Sequence, residues 1–355
     1  MNIQTKQLNL ALQFQDDILK DVSRSFALTI PQLPKQLKTS VANGYLLCRI
    51  TDTIEDDLNL SIEQKAYFHK KFIEVLNDQY SPQMFIEKLY PLLSEKTSIS
   101  EKLLIFHLKQ VIFITKSLSI DTQNALKKCV TIMNNGMLEF EKIINIKGLK
   151  TLTELEKYCY IVAGVVGEML TELFYKYLKL KDLTLTTEYQ NKLMKLARSF
   201  GQALQLTNIL KDRWSDYARK ICYLPKDIFG EVLELITLND LLINSSKNDY
   251  YKYNIEFKNN IKKLININFS HLKNALEYTL LIPNQEVGIR RFCLWAIGMA
   301  ISILKNIKNN PGFTHVSQIK ISRLKLKIII LITNFIAKSN YLLKIWFKVT
   351  TLTVN

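Results

Sequence analysis

Two stretches of this chain carry residue types that, at their spacing, do polar chemistry on an apolar background. The first is GYLLCRITDTIEDD, Gly44 to Asp57. On a helix each residue turns about 100°, so offsets of zero, four, seven and eleven return to nearly one face. Tyr45, Arg49, Asp52 and Asp56 hold those offsets, while Leu46, Leu47, Ile50 and Ile54 fall elsewhere and are free to pack. A phenol, a guanidinium and two carboxylates amid Leu, Cys and Ile point to a cleft rather than to a solvated face. The second stretch runs from Phe200 to Pro225. Here Gln205, Asn208, Asp212 and Asp216 share a face at offsets of zero, three, seven and eleven, with Leu204, Leu206, Ile209 and Leu210 to pack.

Carboxylates of this kind repel unless cations sit between them. All-oxygen donors suit hard divalent ions, and Mg2+ characteristically joins one or two carboxylates to a substrate's phosphates. The expected chemistry is departure of a diphosphate, with metal neutralising the leaving group and an allylic cation left behind. Arg49, Lys211, Arg213 and Arg219 would supplement the metal at phosphate oxygens. A helical bundle is able to aim both faces at one cavity. The same residues also suit two buried inter-helix ion-pair networks, and spacing alone leaves both readings open.

A third stretch, Lys157 to Phe174, places Ala163, Gly164 and Gly167 inside a helical pattern. Glycine costs about 1 kcal/mol there relative to alanine, so close approach of something is expected. A long apolar ligand along Val162, Val165, Val166 and Met169 answers that need, and so does a tightly packed neighbouring helix.

The elements that must position these residues are helices. The chain has 355 residues, 48% of them hydrophobic, with only 10 glycines and 7 prolines. Too few turns are available for a barrel or sandwich of hairpins. Periodicity predicts a short helix or loose arm over 1–22, an irregular entry over 23–34, and helices over 34–57, 61–78, 82–93, 99–118, 121–143, 151–180, 186–218, 232–245, 251–280 and 286–308. Pro225 ends the second acidic stretch and opens a loop. We expect a single all-α domain over 1–315 and a basic, apolar tail over 316–355. The tail's apolar run, Ile328 to Ala337, is too short to span a bilayer and is bracketed by lysines. It suits a helix in the membrane interface and equally a packed C-terminal helix.

The net charge is +16, from 48 basic against 32 acidic residues. Phosphorylated substrates and anionic membranes suit that balance; the charge is dispersed and no nucleic-acid motif is present, so no nucleic-acid partner is expected. Five scattered cysteines form no zinc pattern and read as buried free thiols. The N-terminus lacks the basic start and apolar core of a signal peptide, which leads us to expect a cytoplasmic protein, peripheral on a membrane.

At these stretches the sequence resembles the squalene/phytoene synthase family. Asp52-Thr-Ile-Glu-Asp56 is similar to its DxxED motif, and Gln205 through Asp216 to its QxxNxxxDxxxD motif. Tyr158 through Gly164 is similar to its YCxxVAG segment, and Ser23-Arg24-Ser25-Phe26 to the SRSF entry near a diphosphate. Arg290-Arg291-Phe292-Cys293 falls where members have a related late helix. The resemblance covers residues 20 to 310 or so. It implies an all-α isoprenoid synthase fold and Mg2+-dependent condensation of two prenyl diphosphates through a cyclopropyl intermediate.

By position, the resemblance makes Asp52, Asp56, Asp212 and Asp216 metal ligands. It puts Ser23, Arg24, Phe26, Arg49 and Lys211 near diphosphate, and Gln205 and Asn208 at the second diphosphate. Tyr45 and Tyr158 would stabilise cations or handle the proton lost in the first half-reaction. Val162 and Gly164 remain candidates to line the apolar chain. The sequence departs from the family at Lys211, where arginine is common, and at Ile221, where many relatives carry a basic residue. Arg219 and Lys220 would then grip the second diphosphate or a cofactor. The leading expectation is two farnesyl diphosphates joined to squalene, with NADPH for the reductive step. A phytoene- or dehydrosqualene-forming reaction without reduction, and a membrane-bound scaffold without turnover, are the alternatives. No GxGxxG segment is present, so any nicotinamide site is not of Rossmann type.

Overall fold

The computed structural model describes residues 3–23, 25–181, 186–233 and 247–352, with the backbone alone at 247–254. Among the described residues there is no strand; one isolated bridge pairs Leu149 with Pro225. The chain forms two compact units, 1–142 with 165–191, and 143–164 with 192–355.

In the first unit the helix Lys35–Asp56 is central. It packs on Ile3–Val22, Ile62–Leu76, Ile99–Phe106, Leu108–Ser117, Ile120–Glu141 and Val165–Lys179. Leu46, Leu47, Ile50 and Ile54 are fully buried, as their position off the polar line requires. Its neighbours start at defined caps. Ser61 with Gln64 and Ser98 with Glu101 each close a capping box, satisfying amide groups that the first turn leaves open. The expected helix over 99–118 is two, because His107 leaves helical geometry (φ −97°, ψ 20°) without any glycine or proline to announce it.

A buried polar chain fixes the register of the central helix. The ring of His69 meets the Asn134 carbonyl, and the Asn134 amide donates to Thr51 Oγ1 at 3.0 Å, one residue from Asp52. Burial pulls the His69 pKa down to about 4. The unfolded chain therefore takes up its proton first as pH falls. Stability is whole above about pH 6.5 and drains between 6.5 and 4, by about 3 kcal/mol at full extent. Urea unfolding at pH 7.5 and pH 5 should show this slope, and a His69→Gln variant should lack that part of it.

In the second unit Lys247–Leu281 packs against Val287–Asn309, which in turn carries Arg323–Ile336. Among the described residues, Val287–Asn309 is the helix long and apolar enough to cross a membrane, yet 67% of its apolar window is buried inside the protein. Its Arg290 is 1% exposed and donates to the carbonyls of Ile282 and Ala337 and to Asn340 Oδ1, at 2.9, 2.8 and 2.6 Å. The tail, read above as a single helix, is consequently broken in two. Arg290 occupies the carbonyl at Ala337, and Ser339 caps a new helix, Asn340–Thr351. The helix expected over 232–245 lies, from residue 234 on, outside the described residues. All five cysteines are free and buried.

Candidate active site

The first acidic face stands at the C-terminal half of Lys35–Asp56. Tyr45 donates to the Val22 carbonyl at 3.0 Å, and its ring lies 5.1 Å from that of Phe26. Ser23 Oγ accepts the Phe26 amide at 2.9 Å, so the turn that follows the first helix is folded onto Tyr45. Burial pushes the Tyr45 phenol up, which keeps it protonated. Arg24 lies outside the described residues.

Arg49 is held by Glu101, whose other oxygen closes the capping box with Ser98. The guanidinium also lies 3.9 Å from Asp52, and its buried Nε has no hydrogen-bond partner. Burial raises the Asp52 pKa to about 7; Arg49 opposes this, while Asp56 and Glu101 add to it. Glu55 is raised as well, by burial first and then by Asp56, Asp52 and Glu141. Burial first, and the neighbouring acids second, therefore disfavour negative charge on Asp52 and Glu55, a cost that a divalent cation would relieve.

The second acidic face lies on Thr187–Ala218. Lys211 bridges Asn208 Oδ1, at 3.2 Å, and Asp212, at 3.0 Å. Asp216 is buried and accepts from Arg219 at 2.8 Å. Gln205 is half-buried and Asn208 exposed. Arg213, counted above among the phosphate-facing cations, turns inward instead. Its guanidinium donates to the Leu210, Pro311 and Phe313 carbonyls and lies 3.7 Å from the Phe313 ring centre, so it fastens the loop after Val287–Asn309. Arg219 is turned onto Asp216, and Lys220 stands exposed in the left-handed region (φ 61°).

Tyr158 sits at the end of Leu152–Cys159, just before a π-helical turn, Tyr160–Gly164. Such turns insert one extra residue and recur at functional sites. Tyr158 is 3% exposed. It stacks on Tyr223 with ring centres 4.6 Å apart and donates to its hydroxyl at 3.0 Å. Tyr223, Asp216 and Cys222 line a cavity of about 30 Å3, room for a water or two and far too small for a prenyl chain. Val162 is half-buried. Of the two neighbours weighed for the glycine segment, the structure supplies a helix at Gly164. A Cβ on Gly201 would lie 2.8 Å from the Gly164 Cα and 2.1 Å from the Ala163 oxygen.

Glu55, Glu101 and Tyr223 are not among the residues expected above. Glu55 is inside the acidic motif, and Glu101 shows itself only as the fourth residue of a capping box. Nothing local marks Tyr223. Among the described residues no three His, Cys, Asp or Glu side chains gather into a metal cage. Paired carboxylates without a cage fit Mg2+, which takes one or two of them and completes its shell with phosphate and water.

The folded helices and their two acidic faces define a class. A family model for squalene/phytoene synthase matches residues 19–325, and the chain belongs to that family. It is 28% identical over 312 residues to the curated squalene synthase ERG9 of Candida albicans, covering 84% of this chain and 62% of that protein. It is 29% identical to the Botryococcus squalene synthase of Botryococcus braunii, over 84% of this chain and 58% of that one. The chain thus spans about three fifths of the length of these relatives. A solved structure of TcSQS with the ligand BPH1237 superposes with a TM-score of 0.75 at 23% identity, covering 97% of this chain and 91% of that one. That likeness bears out the expected all-α isoprenoid synthase fold.

Proposed function

We propose that this protein joins two farnesyl diphosphates head to head, through presqualene diphosphate, to squalene. The observation that carries the reading is a pair of helix-borne carboxylates on each of two faces, each pair with a cation one turn or less away, in a chain of this family. Asp52 and Asp56, and Asp212 and Asp216, would hold Mg2+. When bound, it supplies the positive charge that lets diphosphate leave. Arg49, steadied by Glu101, offers its open Nε to a phosphate oxygen, and Lys211 serves the second face. Ser23, Arg24 and Phe26 flank the first diphosphate, while Gln205 and Asn208 orient the second. Tyr45, kept neutral, and Tyr158 present ring faces to the allylic cation and hydroxyls to the departing proton. Val162 lines the prenyl chain, on the turn whose Gly164 seats the neighbouring helix. NADPH is the hydride source that squalene formation requires, and Lys220, with Arg219 once released from Asp216, is the grip we assign to it. The working location is the cytoplasmic face of a membrane, with residues 316–355 toward the bilayer.

The test is product mass. With farnesyl diphosphate, Mg2+ and NADPH the chain should make squalene; without NADPH, presqualene diphosphate should accumulate. Dehydrosqualene with or without NADPH would remove the reductive step from the reading, and reaction of geranylgeranyl diphosphate alone would remove the substrate.

Tyr223→Phe keeps the stacked rings and deletes the acceptor of the Tyr158 hydroxyl. We expect kcat to fall roughly fivefold, the worth of one hydrogen bond of about 1 kcal/mol, with KM nearly unchanged. Single-turnover kinetics should place the loss before presqualene diphosphate. A change in KM alone would count against a role for this phenol pair.

A further inference from the structure

The C-terminal helices are apolar on two opposite sides. In Arg323–Ile336 the inner side holds Ile329 and Thr333, both buried. Leu324, Ile328, Leu331, Ile332 and Phe335 point away from the protein, up to 80% exposed at Phe335. Their offsets of zero, four, seven, eight and eleven make one stripe of about 100°. Asn340–Thr351 repeats the design. Leu343 and Trp346 are buried, while Tyr341, Leu342, Ile345, Val349 and the following Leu352 are exposed along one side.

Charge identifies what covers these stripes. No acidic residue occurs anywhere in residues 287–355, whereas Arg323, Lys327, Lys344 and Lys348 are exposed beside the two apolar rows. An apolar strip edged only by cations matches the boundary between headgroups and acyl chains of an anionic bilayer. Neither helix spans it: 14 and 12 residues make roughly 21 and 18 Å, against about 30 Å of hydrocarbon. Nor are they free to merge into one longer rod. Arg290 holds Ala337 and Asn340 at the corner between them. Ile329 and Trp346 fill a notch over Gly298, where a Cβ would come within 2.5 Å of Ile329.

We propose that residues 323–352 form an in-plane membrane-docking surface of two consecutive helices, seated in the interface of an anionic bilayer and fixed to the protein by Arg290. The surface deepens the membrane partner proposed above and is independent of the chemistry; an inactive Asp212→Asn protein should bind vesicles as the wild type does.

The full chain should be sedimented with phosphatidylcholine vesicles and with vesicles containing about one third phosphatidylserine. Binding to the anionic vesicles should be at least tenfold tighter and should weaken with salt. Leu331→Glu with Phe335→Glu, both exposed, should leave the melting curve unchanged and reduce that binding at least tenfold. Lys344→Ser with Lys348→Ser should reduce the preference for anionic lipid. Alkaline carbonate should release the bound chain. Equal binding by the Glu variant, or none by the wild type, overturns the proposal. Retention through carbonate would mean insertion across the bilayer. Conversion of an oligomer to a monomer by the Glu pair, with vesicle binding untouched, would make the stripe a protein interface.

Discussion

Asp212→Asn and Asp52→Asn are each expected to lower turnover by roughly 100- to 1,000-fold, the range seen when one element of transition-state charge stabilisation is removed. Asparagine keeps the size and one acceptor oxygen but carries no charge, and Mg2+ holds a neutral amide poorly beside phosphates. The two variants test different faces. Asp212 is part of the Asn208–Lys211–Asp212 group; Asp52 stands between Arg49 and the crowded Glu55 and Asp56. Folding should survive in both, and at Asp52 it should improve. An acid whose pKa is raised to about 7 in the folded chain binds a proton there that the unfolded chain has already lost. Its ionisation costs stability progressively from about pH 4 to pH 7, and the cost is complete above that. Asp52→Asn should therefore melt higher than wild type at pH 8 in the absence of Mg2+, and at the same temperature below pH 4. Full rates in both variants would end the metal-assisted reading at these carboxylates.

Gly201→Ala should be among the most damaging small substitutions in the chain. On propensity alone alanine gains about 1 kcal/mol in a helix. The added Cβ, however, would lie 2.1 Å from the Ala163 oxygen, 2.5 Å from its carbonyl carbon and 2.8 Å from the Gly164 Cα. All three are backbone atoms, so no side chain is available to swing aside. Overpacking against fixed backbone costs about 3 kcal/mol or more, so a net loss of about 2 kcal/mol is expected, or roughly 5 °C in Tm. The shift falls on the π-helical turn next to Tyr158, so kcat should drop with stability. Thermal denaturation decides it: a Gly201→Ala protein as stable as wild type would mean that the two helices part more easily than their contact implies.

The acidic faces were legible because a helix converts spacing into direction. Once Leu46, Leu47, Ile50 and Ile54 must be buried, Tyr45, Arg49, Asp52 and Asp56 have only one side left. The same rule failed at Arg213. It stands one residue from Asp212, and its side chain instead reaches carbonyls nearly a hundred residues away, at Pro311 and Phe313. No local pattern encodes a partner at that separation. Glu101 on Arg49 and Tyr223 on Tyr158 are cases of the same kind.

By itself, then, the sequence determined helices, their polar faces, the family and the hard-oxygen character of the carboxylates, since each depends on residues within a few turns of one another. The tertiary structure alone decided which cations serve the acids and which serve the core, what Gly201 and Gly164 make room for, and that the C-terminal tail is a docked helix pair and an exposed apolar surface at once. Those outcomes depend on which distant backbone comes within hydrogen-bond or van der Waals reach, a distance that periodicity along the chain does not carry.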